Sequence, residues 1–285
     1  MSGESSKVLE KERNGSLLMT DTLLLEKEGQ IAWIKLNRLK VHNSLNSELL
    51  IALKAACKNI AEDREIRVVI VTGAGSKVFC AGADLSERKG MSEGQVLDYL
   101  NLIQSCMLAL EELPQPVIAA INGSAFGGGT ELALSCDLRI MTEDAQLRLT
   151  EVKLGIIPGA GGTQRLSRLI GKSRAKEIIL TARAVKAAEA LNIGLVHKLT
   201  AAAPKDAESH EELLKEARLW ANEIATAAPL ALKAAKFAID KGFDRDLESG
   251  LALETKAYLQ LMNTKDRLEG LKAFAEKRDP VYRGE

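Results

Sequence analysis

Pro116-Val-Ile-Ala-Ala-Ile-Asn-Gly-Ser-Ala-Phe-Gly-Gly-Gly-Thr-Glu131-Leu-Ala-Leu-Ser-Cys-Asp-Leu-Arg-Ile-Met141 places two short apolar runs on either side of a triple-glycine turn and a short apolar segment. Runs of this length bounded by turn residues read as buried strands, over 116–121 and 137–141. The segment after Gly127-Gly-Gly129 reads as a helix with Glu131 in its first turn. The order strand, turn, helix, strand then recurs outward. Upstream, Arg67-Val-Val-Ile-Val-Thr72 is a buried-strand candidate that breaks at Gly73-Ala-Gly75 and passes through Cys80-Ala-Gly-Ala-Asp-Leu85 into a long helix over 93–113, closed by Pro114 and Pro116. Downstream, an extended apolar stretch from Leu147 runs into a second glycine-rich turn, Gly159-Ala-Gly-Gly162, and another helix. Repeated strand, loop and helix predict an α/β core.

Farther out, Leu23-Leu-Leu-Glu-Lys-Glu-Gly-Gln-Ile-Ala-Trp-Ile-Lys-Leu36 reads as a hairpin about Glu28-Gly29. Leu49, Leu50, Leu53, Ala56, Cys57 and Ile60 recur at helix spacing within 46–63. Helical patterns over 209–226, 229–241, 246–262 and 264–277 dominate the C-terminal part. The chain therefore divides into a polar, flexible extension over 1–20, an α/β core over 21–205, and a helical region over 206–285.

Composition narrows the function classes. Lys plus Arg and Asp plus Glu both number 39, so no global field favours nucleic acid or an anionic membrane. The four cysteines, Cys57, Cys80, Cys106 and Cys136, lack paired or metal-ligand spacing and read as free, reduced core residues. His42, His197 and His210 show neither a nucleophile elbow nor a metal spacing, so no metal site is expected. No apolar run is long enough to span a membrane, and the N-terminal stretch has no signal-like apolar region and carries Glu4, Glu10 and Glu12. By elimination a cytoplasmic location is expected.

Glu131 and Glu151 each lie among small and apolar residues beside a glycine-rich turn. Burial raises a carboxyl pKa, and a neighbouring carboxylate raises one of the two further. Such a pair can take a proton from water and deliver another to carbon. The structural alternative is that Glu131 is favoured by a helix N-terminus and Glu151 pairs with Lys153 or Arg148. The Gly159–Gly162 turn lacks the GK[ST] ending of a phosphate loop and reads as a shaping element.

Five ordered motifs carry a family likeness: Leu36-Asn-Arg38, Phe79-Cys-Ala-Gly-Ala-Asp-Leu85, Ala125-Phe-Gly-Gly-Gly-Thr-Glu-Leu-Ala-Leu134, Leu154-Gly-Ile-Ile-Pro-Gly-Ala-Gly-Gly-Thr-Gln-Arg-Leu166 and Arg267-Leu-Glu-Gly-Leu-Lys-Ala-Phe-Ala-Glu-Lys-Arg278. Together they resemble the crotonase, or enoyl-CoA hydratase/isomerase, superfamily over nearly the whole chain after residue 20. The resemblance implies a spiral of repeated ββα units with a helical C-terminal region that mediates trimerisation, as a homotrimer or a dimer of trimers. It also implies an oxyanion hole from the backbone N–H groups of Ala83 and Gly128, for which preorganised donors are the physical requirement. Glu131 and Glu151 fall on positions that are both glutamate in the family's hydratases.

The implied reaction is syn addition of water across C2=C3 of a 2-enoyl-CoA to give a 3-hydroxyacyl-CoA, with Glu131 activating water and Glu151 protonating C2. No cofactor is implied, because coenzyme A is part of the substrate. An isomerase or acyl-CoA hydrolase of the same fold is the competing enzyme reading. Coenzyme A contacts are implied for Arg38, Lys40, Val41, Ala81, Gly82, Asp84, Leu85 and Gly127, and for Phe274 and Lys277 near the C-terminus.

Within the superfamily the closest likeness is to the methylglutaconyl-CoA hydratase branch, on Ala81–Arg88, Thr264–Leu271 and the Tyr282-Arg-Gly-Glu285 ending. A substrate with a distal carboxylate wants a cation, and Arg88 is the candidate; an exposed charge is the alternative. That branch also includes RNA-binding members whose activity is associated with a lysine-bearing helix. Here no Lys or Arg occurs from Met91 to Leu138, so a nucleic-acid partner is not expected.

Overall fold

The computed structural model describes residues 16–204 and 207–285, with side chains from Thr20 onward. Residues 1–15 of the expected extension lie outside the described residues. Its last part is structured: Ser16–Met19 form strand β1, paired antiparallel with β2 (Leu23–Glu28). Strand β2 turns at Gly29 into β3 (Ile31–Leu36), in register from Leu23 opposite Leu36 to Glu28 opposite Ile31.

Helix α1 (Ser47–Glu62) starts where the Asn46 side chain accepts the Leu49 amide and buries the Leu49, Leu50, Leu53, Ala56, Cys57, Ile60 face. Three ββα turns follow. The first comprises β4 (Val68–Gly73), β5 (Val78–Cys80), the short α2 (Leu85–Arg88) and α3 (Glu93–Glu111). The second comprises β6 (Val117–Ile121), β7 (Ser124–Phe126) and α4 (Gly128–Leu134). The third comprises β8 (Leu138–Thr142), β9 (Gln146–Arg148) and α5 (Gly162–Ile170). Helix α6 (Lys172–Thr181), β10 (Val185–Lys186), α7 (Ala187–Asn192) and β11 (Lys198–Thr200) complete the core.

The first strand of each turn joins a seven-stranded sheet, ordered β1-β2-β3-β4-β6-β8-β11, and the second joins a four-stranded sheet, ordered β10-β9-β7-β5. Neighbouring turns thus stack β4, β6 and β8 in parallel on one wall and β5, β7 and β9 in parallel on another. This is the crotonase spiral. Residue by residue, the sequence registers only β9 of the second sheet, within the extended stretch from Leu147, and the second strand of each turn is expected from the family resemblance alone, because these strands are two or three residues long, too short for periodicity to register.

Strand β4 is buried along its whole length, which an alternating face explains. Val69 and Val71 point into the main core, while Val68 and Ile70 meet α8 (Glu211–Ala225) on the opposite face. Helix α8 presents Leu213, Ala217, Ala221 and Ala225 at a spacing of four, small enough to seat the helix on the sheet. Although placed by sequence in the C-terminal region, α8 therefore covers the core. Beyond it, α9 (Pro229–Gly242), α10 (Leu247–Leu259) and α11 (Lys265–Glu276) bury little, with only Ala257, Asp266 and Ala273 buried among them. Among the described residues no helix is long and apolar enough to cross a membrane.

Glu151 departs from its sequence reading. The extended stretch ends at Arg148, and Glu151–Leu154 form a 3-10 turn closed by Gly155 at φ 74°. The Lys153 amide donating to the Thr150 carbonyl at 3.0 Å draws the chain into the turn.

Candidate active site

A cavity of about 710 Å³ opens between the second strands of the spiral, α3 and the 151–164 segment. Nine residues singled out in the sequence line it: Ala81, Gly82, Ala83, Leu85, Arg88, Gly127, Gly128, Glu131 and Glu151. Arg38, Lys40, Val41, Asp84, Phe274 and Lys277 do not. Lys40 and Val41 are exposed on a 3-10 turn, and Phe274 is 87% exposed on α11, with Lys277 closing that helix. The Arg38 guanidinium is already engaged, bonding the Ser44 carbonyl at 2.7 Å and Asp84 at 2.8 Å. Burial pushes the Asp84 carboxyl up, but hydrogen bonds from Ser86 and Arg38 outweigh it and hold it at about 2. Asp84 also caps α2, so its side chain serves the loop.

Glu131 projects from the first turn of α4 and is 2% exposed. Its Oε1 accepts the amides of Ala160 at 2.8 Å and Gly162 at 2.7 Å, which answers what the Gly159–Gly162 turn does. A Cβ on Gly162 would stand 2.9 Å from that oxygen, so a glycine allows the approach. Arg165 braces the turn by donating to the Ala160 carbonyl at 2.9 Å while paired with Glu111 at 2.6 Å. Burial lifts the Glu131 carboxyl from the ordinary 4.5 to about 7; the Gly162 and Ala160 amides oppose the rise and the Glu151 charge adds to it.

Glu151 lies across the Gly127 turn, its Oε1 3.1 Å from where a Cβ on Gly127 would be. The Thr130 hydroxyl donates to the Arg148 carbonyl at 3.0 Å and the Gly127 amide to the same oxygen at 2.8 Å, tying the two glutamate-bearing elements together. Burial pushes the Glu151 carboxyl up, and its buried Oε2 has no hydrogen-bond partner among the described residues. Nor does Glu151 form an ion pair there, with Lys153, Arg148 or any other cation. A buried acceptor left open carries an energetic cost that a structural ion pair would have removed.

Two backbone donors face the same cavity. A Cβ on Gly128 would lie 3.4 Å from the Ala83 nitrogen, so the two amides are near neighbours. Neither donates to an acceptor among the described residues. Gly128 opens α4, where the N–H groups of a first turn have no intrahelical partner. Two open amides beside two carboxyls of raised pKa can hold a polarised carbonyl and move protons near it. Among the described residues no cluster of His, Cys, Asp or Glu could hold a metal ion, and all four cysteines are free and buried.

Sequence reading missed several lining residues, among them Tyr99, Ile103, Ile156 and Pro158. Tyr99 had a usable signal: a tyrosine on an apolar helix face needs a hydroxyl partner once buried.

The model of the family described as "Enoyl-CoA hydratase/isomerase" matches residues 26–285. A solved enoyl-CoA hydratase from Bacillus anthracis superposes with a TM-score of 0.88 at 50% identity, covering 93% of this chain and 100% of that one. The short-chain-enoyl-CoA hydratase of Clostridium acetobutylicum is 44% identical, covering 90% of this chain and 96% of the relative. The mitochondrial methylglutaconyl-CoA hydratase of Mus musculus is 43% identical, covering 92% of this chain and 82% of the relative. These last two identities are too close to choose between the substrates their names carry.

Proposed function

The chain belongs to the enoyl-CoA hydratase/isomerase family, and from that premise we propose that it is a hydro-lyase adding water across C2=C3 of a 2-enoyl-CoA. One observation carries the reading: two buried carboxyls of raised pKa, one anchored by amides, share a cavity with two backbone N–H groups that have no acceptor among the described residues. The Ala83 and Gly128 amides receive the thioester oxygen, and each such donor is worth roughly 2.7–4 kcal/mol as negative charge develops there. Glu131, held through Oε1, uses its other oxygen to take a proton from the water that attacks C3. Glu151 gives its proton to C2. The hydroxyl reaches C3 and the proton reaches C2 from one side, so the addition is syn, and the proton taken up by Glu131 passes back to Glu151 to reset the pair. The chemistry draws on no redox group, since coenzyme A arrives with the substrate.

Arg88 favours an acyl group ending in a carboxylate. It is half-buried, lines the cavity, stacks 5.7 Å from the Tyr99 ring centroid, and forms no ion pair among the described residues. The test of both readings is one substrate panel: crotonyl-CoA, 3-methylglutaconyl-CoA and a 3-enoyl-CoA, followed by loss of enoyl-thioester absorbance and by product mass. Hydration of crotonyl-CoA is expected, and isomerisation of the 3-enoyl ester without hydration would replace the hydratase by an isomerase. Arg88→Ala is expected to lower kcat/KM on the acidic substrate by roughly 10- to 200-fold, the scale of a lost charge-assisted contact, and to spare crotonyl-CoA. An equal loss on both would remove Arg88 from acyl recognition.

Self-association is supported by the apolar side chains left open on the last helices: Phe243 at the end of α9, Leu247, Leu251, Tyr258 and Leu259 on α10, and Leu268 and Phe274 on α11. A face this apolar marks an interaction surface. Phe274, exposed on that face, and Lys277 beside it lie outside the cavity lining of their own chain, and with self-association they would contribute to the coenzyme A site of a neighbouring subunit. Light scattering is expected to give a trimer or hexamer; a stable monomer would rule out that contribution.

A further inference from the structure

The oxyanion donors differ in how they are held. Gly128 is fixed by a buried helix, whereas Ala83 sits on the loop between β5 and α2. Around Ala83 itself the loop backbone is held by a bridge to Leu45: the Leu45 amide donates to the Gly82 carbonyl at 2.7 Å, and the Asp84 amide donates to the Leu45 carbonyl at 2.9 Å. Because the peptides on both sides of Ala83 bond to Leu45, the N–H of Ala83 itself is turned away from Leu45. The Leu45 side chain reaches the other donor as well, its Cδ1 3.3 Å from the Cβ position of Gly128. Leu45 is thus the residue against which both donors are set.

A third bond falls on Leu45. The Tyr99 hydroxyl, reaching from α3, donates to the Leu45 carbonyl at 2.6 Å. Tyr99 is 3% exposed and lines the cavity. Burial pushes its phenol further up, so the hydroxyl stays a donor throughout the working pH range.

Resting on the hydratase reading, we propose that Tyr99 is a positioning residue of the oxyanion hole, its hydroxyl fixing through Leu45 the direction in which the Ala83 amide meets the thioester oxygen. Tyr99 touches no reacting atom in this scheme. Its ring supports Arg88 and its hydroxyl supports the hole, so one side chain links the acyl end of the cavity to the carbonyl end.

Tyr99→Phe separates these roles, keeping the ring under Arg88 and removing one oxygen. The Leu45 carbonyl retains the Asp84 amide, so no buried acceptor is orphaned. Expected is a fall in kcat for crotonyl-CoA of up to about tenfold, the scale of one hydrogen bond, with KM changed less than about twofold. The deciding readout is the infrared carbonyl stretch of bound butyryl-CoA, carbon-13 labelled at the thioester, which cannot be hydrated. In the unsubstituted protein that stretch is lowered on binding, and in Tyr99→Phe part of the lowering is lost at an unchanged fold, checked by thermal melting. An equal lowering in both proteins, or a lower melting temperature with the carbonyl shift intact, overturns the proposal. Absence of both hydration and carbonyl shift in the unsubstituted protein would instead overturn the hydratase reading beneath it.

Discussion

Glu131→Gln is expected to abolish most crotonyl-CoA hydration, by about 10²–10⁴-fold in kcat, while making the protein more stable at pH 8. The rate loss follows from exchanging a base for an amide that takes no proton from water. Glu151→Gln is expected to lose activity on the same scale, through loss of the acid. The stability gain follows from linkage. Burial raises the folded-state pKa of Glu131 from 4.5 to about 7, so between these values the folded state binds more protons than the unfolded one. The favourable contribution of the neutral acid is complete below about pH 4.5 and is lost as pH rises through about 7. Above that, folding holds an ionised carboxylate at a cost of up to roughly 3 kcal/mol. The amide carries no such charge, and its oxygen can still accept the Ala160 and Gly162 amides. Unfolding free energies of the two proteins should therefore diverge at pH 8, by about 1–3 kcal/mol, and converge near pH 5. A variant no more stable at pH 8 than at pH 5, relative to its parent, would show that the carboxylate is not strained by burial.

Gly129→Ala is expected to cost about 3 kcal/mol or more and to take the activity with it. A Cβ at Gly129 would stand 2.2 Å from the Cys80 carbonyl oxygen and 2.8 Å from its carbon. Neither side can yield. Cys80 belongs to β5, paired with β7, and Gly129 lies in the first turn of a helix buried on every side. Any relief moves Gly128 or the 81–83 loop and opens the space between the two backbone donors. Gly94→Ala, in the first turn of α3, is the informative control, because its Cβ would have only the capping Ser92 hydroxyl nearby, at 4.0 Å. It is expected to be neutral or to stabilise by about 0.4–1 kcal/mol, through the reduced freedom of the unfolded chain. The urea midpoint should fall in Gly129→Ala and hold or rise in Gly94→Ala. A Gly129→Ala protein as stable as its parent would mean that the spiral tolerates a wider gap between its second strands and α4.

Much of the fold was legible because several elements are long or sharply bounded. The helix expected over 46–63 is found at Ser47–Glu62 between Asn46 and Asp63, since its apolar period and its cap both lie in local sequence. The strands of the larger sheet were readable as continuous apolar runs for the opposite reason: buried on both faces, they need no alternation. Apart from β9, the second sheet and the 3-10 turn of Glu151 were not readable, because a three-residue strand and a single turn contain too few positions for a period. Of the site, both carboxylates and both glycine-rich turns were visible as residue types in unusual surroundings. Arg38 and Asp84, read as ligand contacts, proved to bind each other, a pairing across 46 positions that local pattern does not encode.

The α/β class, the repeated order of strands and helices, the family and the two carboxyls on which its chemistry would turn can all be read along the chain. Those features reside in residue type, period and motif order, which are local properties of the chain. Packing between distant segments is what hangs Glu131 on amides 29 and 31 positions away, leaves a Glu151 oxygen without a partner among the described residues, and brings a tyrosine 54 positions from Leu45 to its carbonyl, beside the loop carrying Ala83. The raised pKa values arise there too, because desolvation and hydrogen bonding are set by what packs around a group.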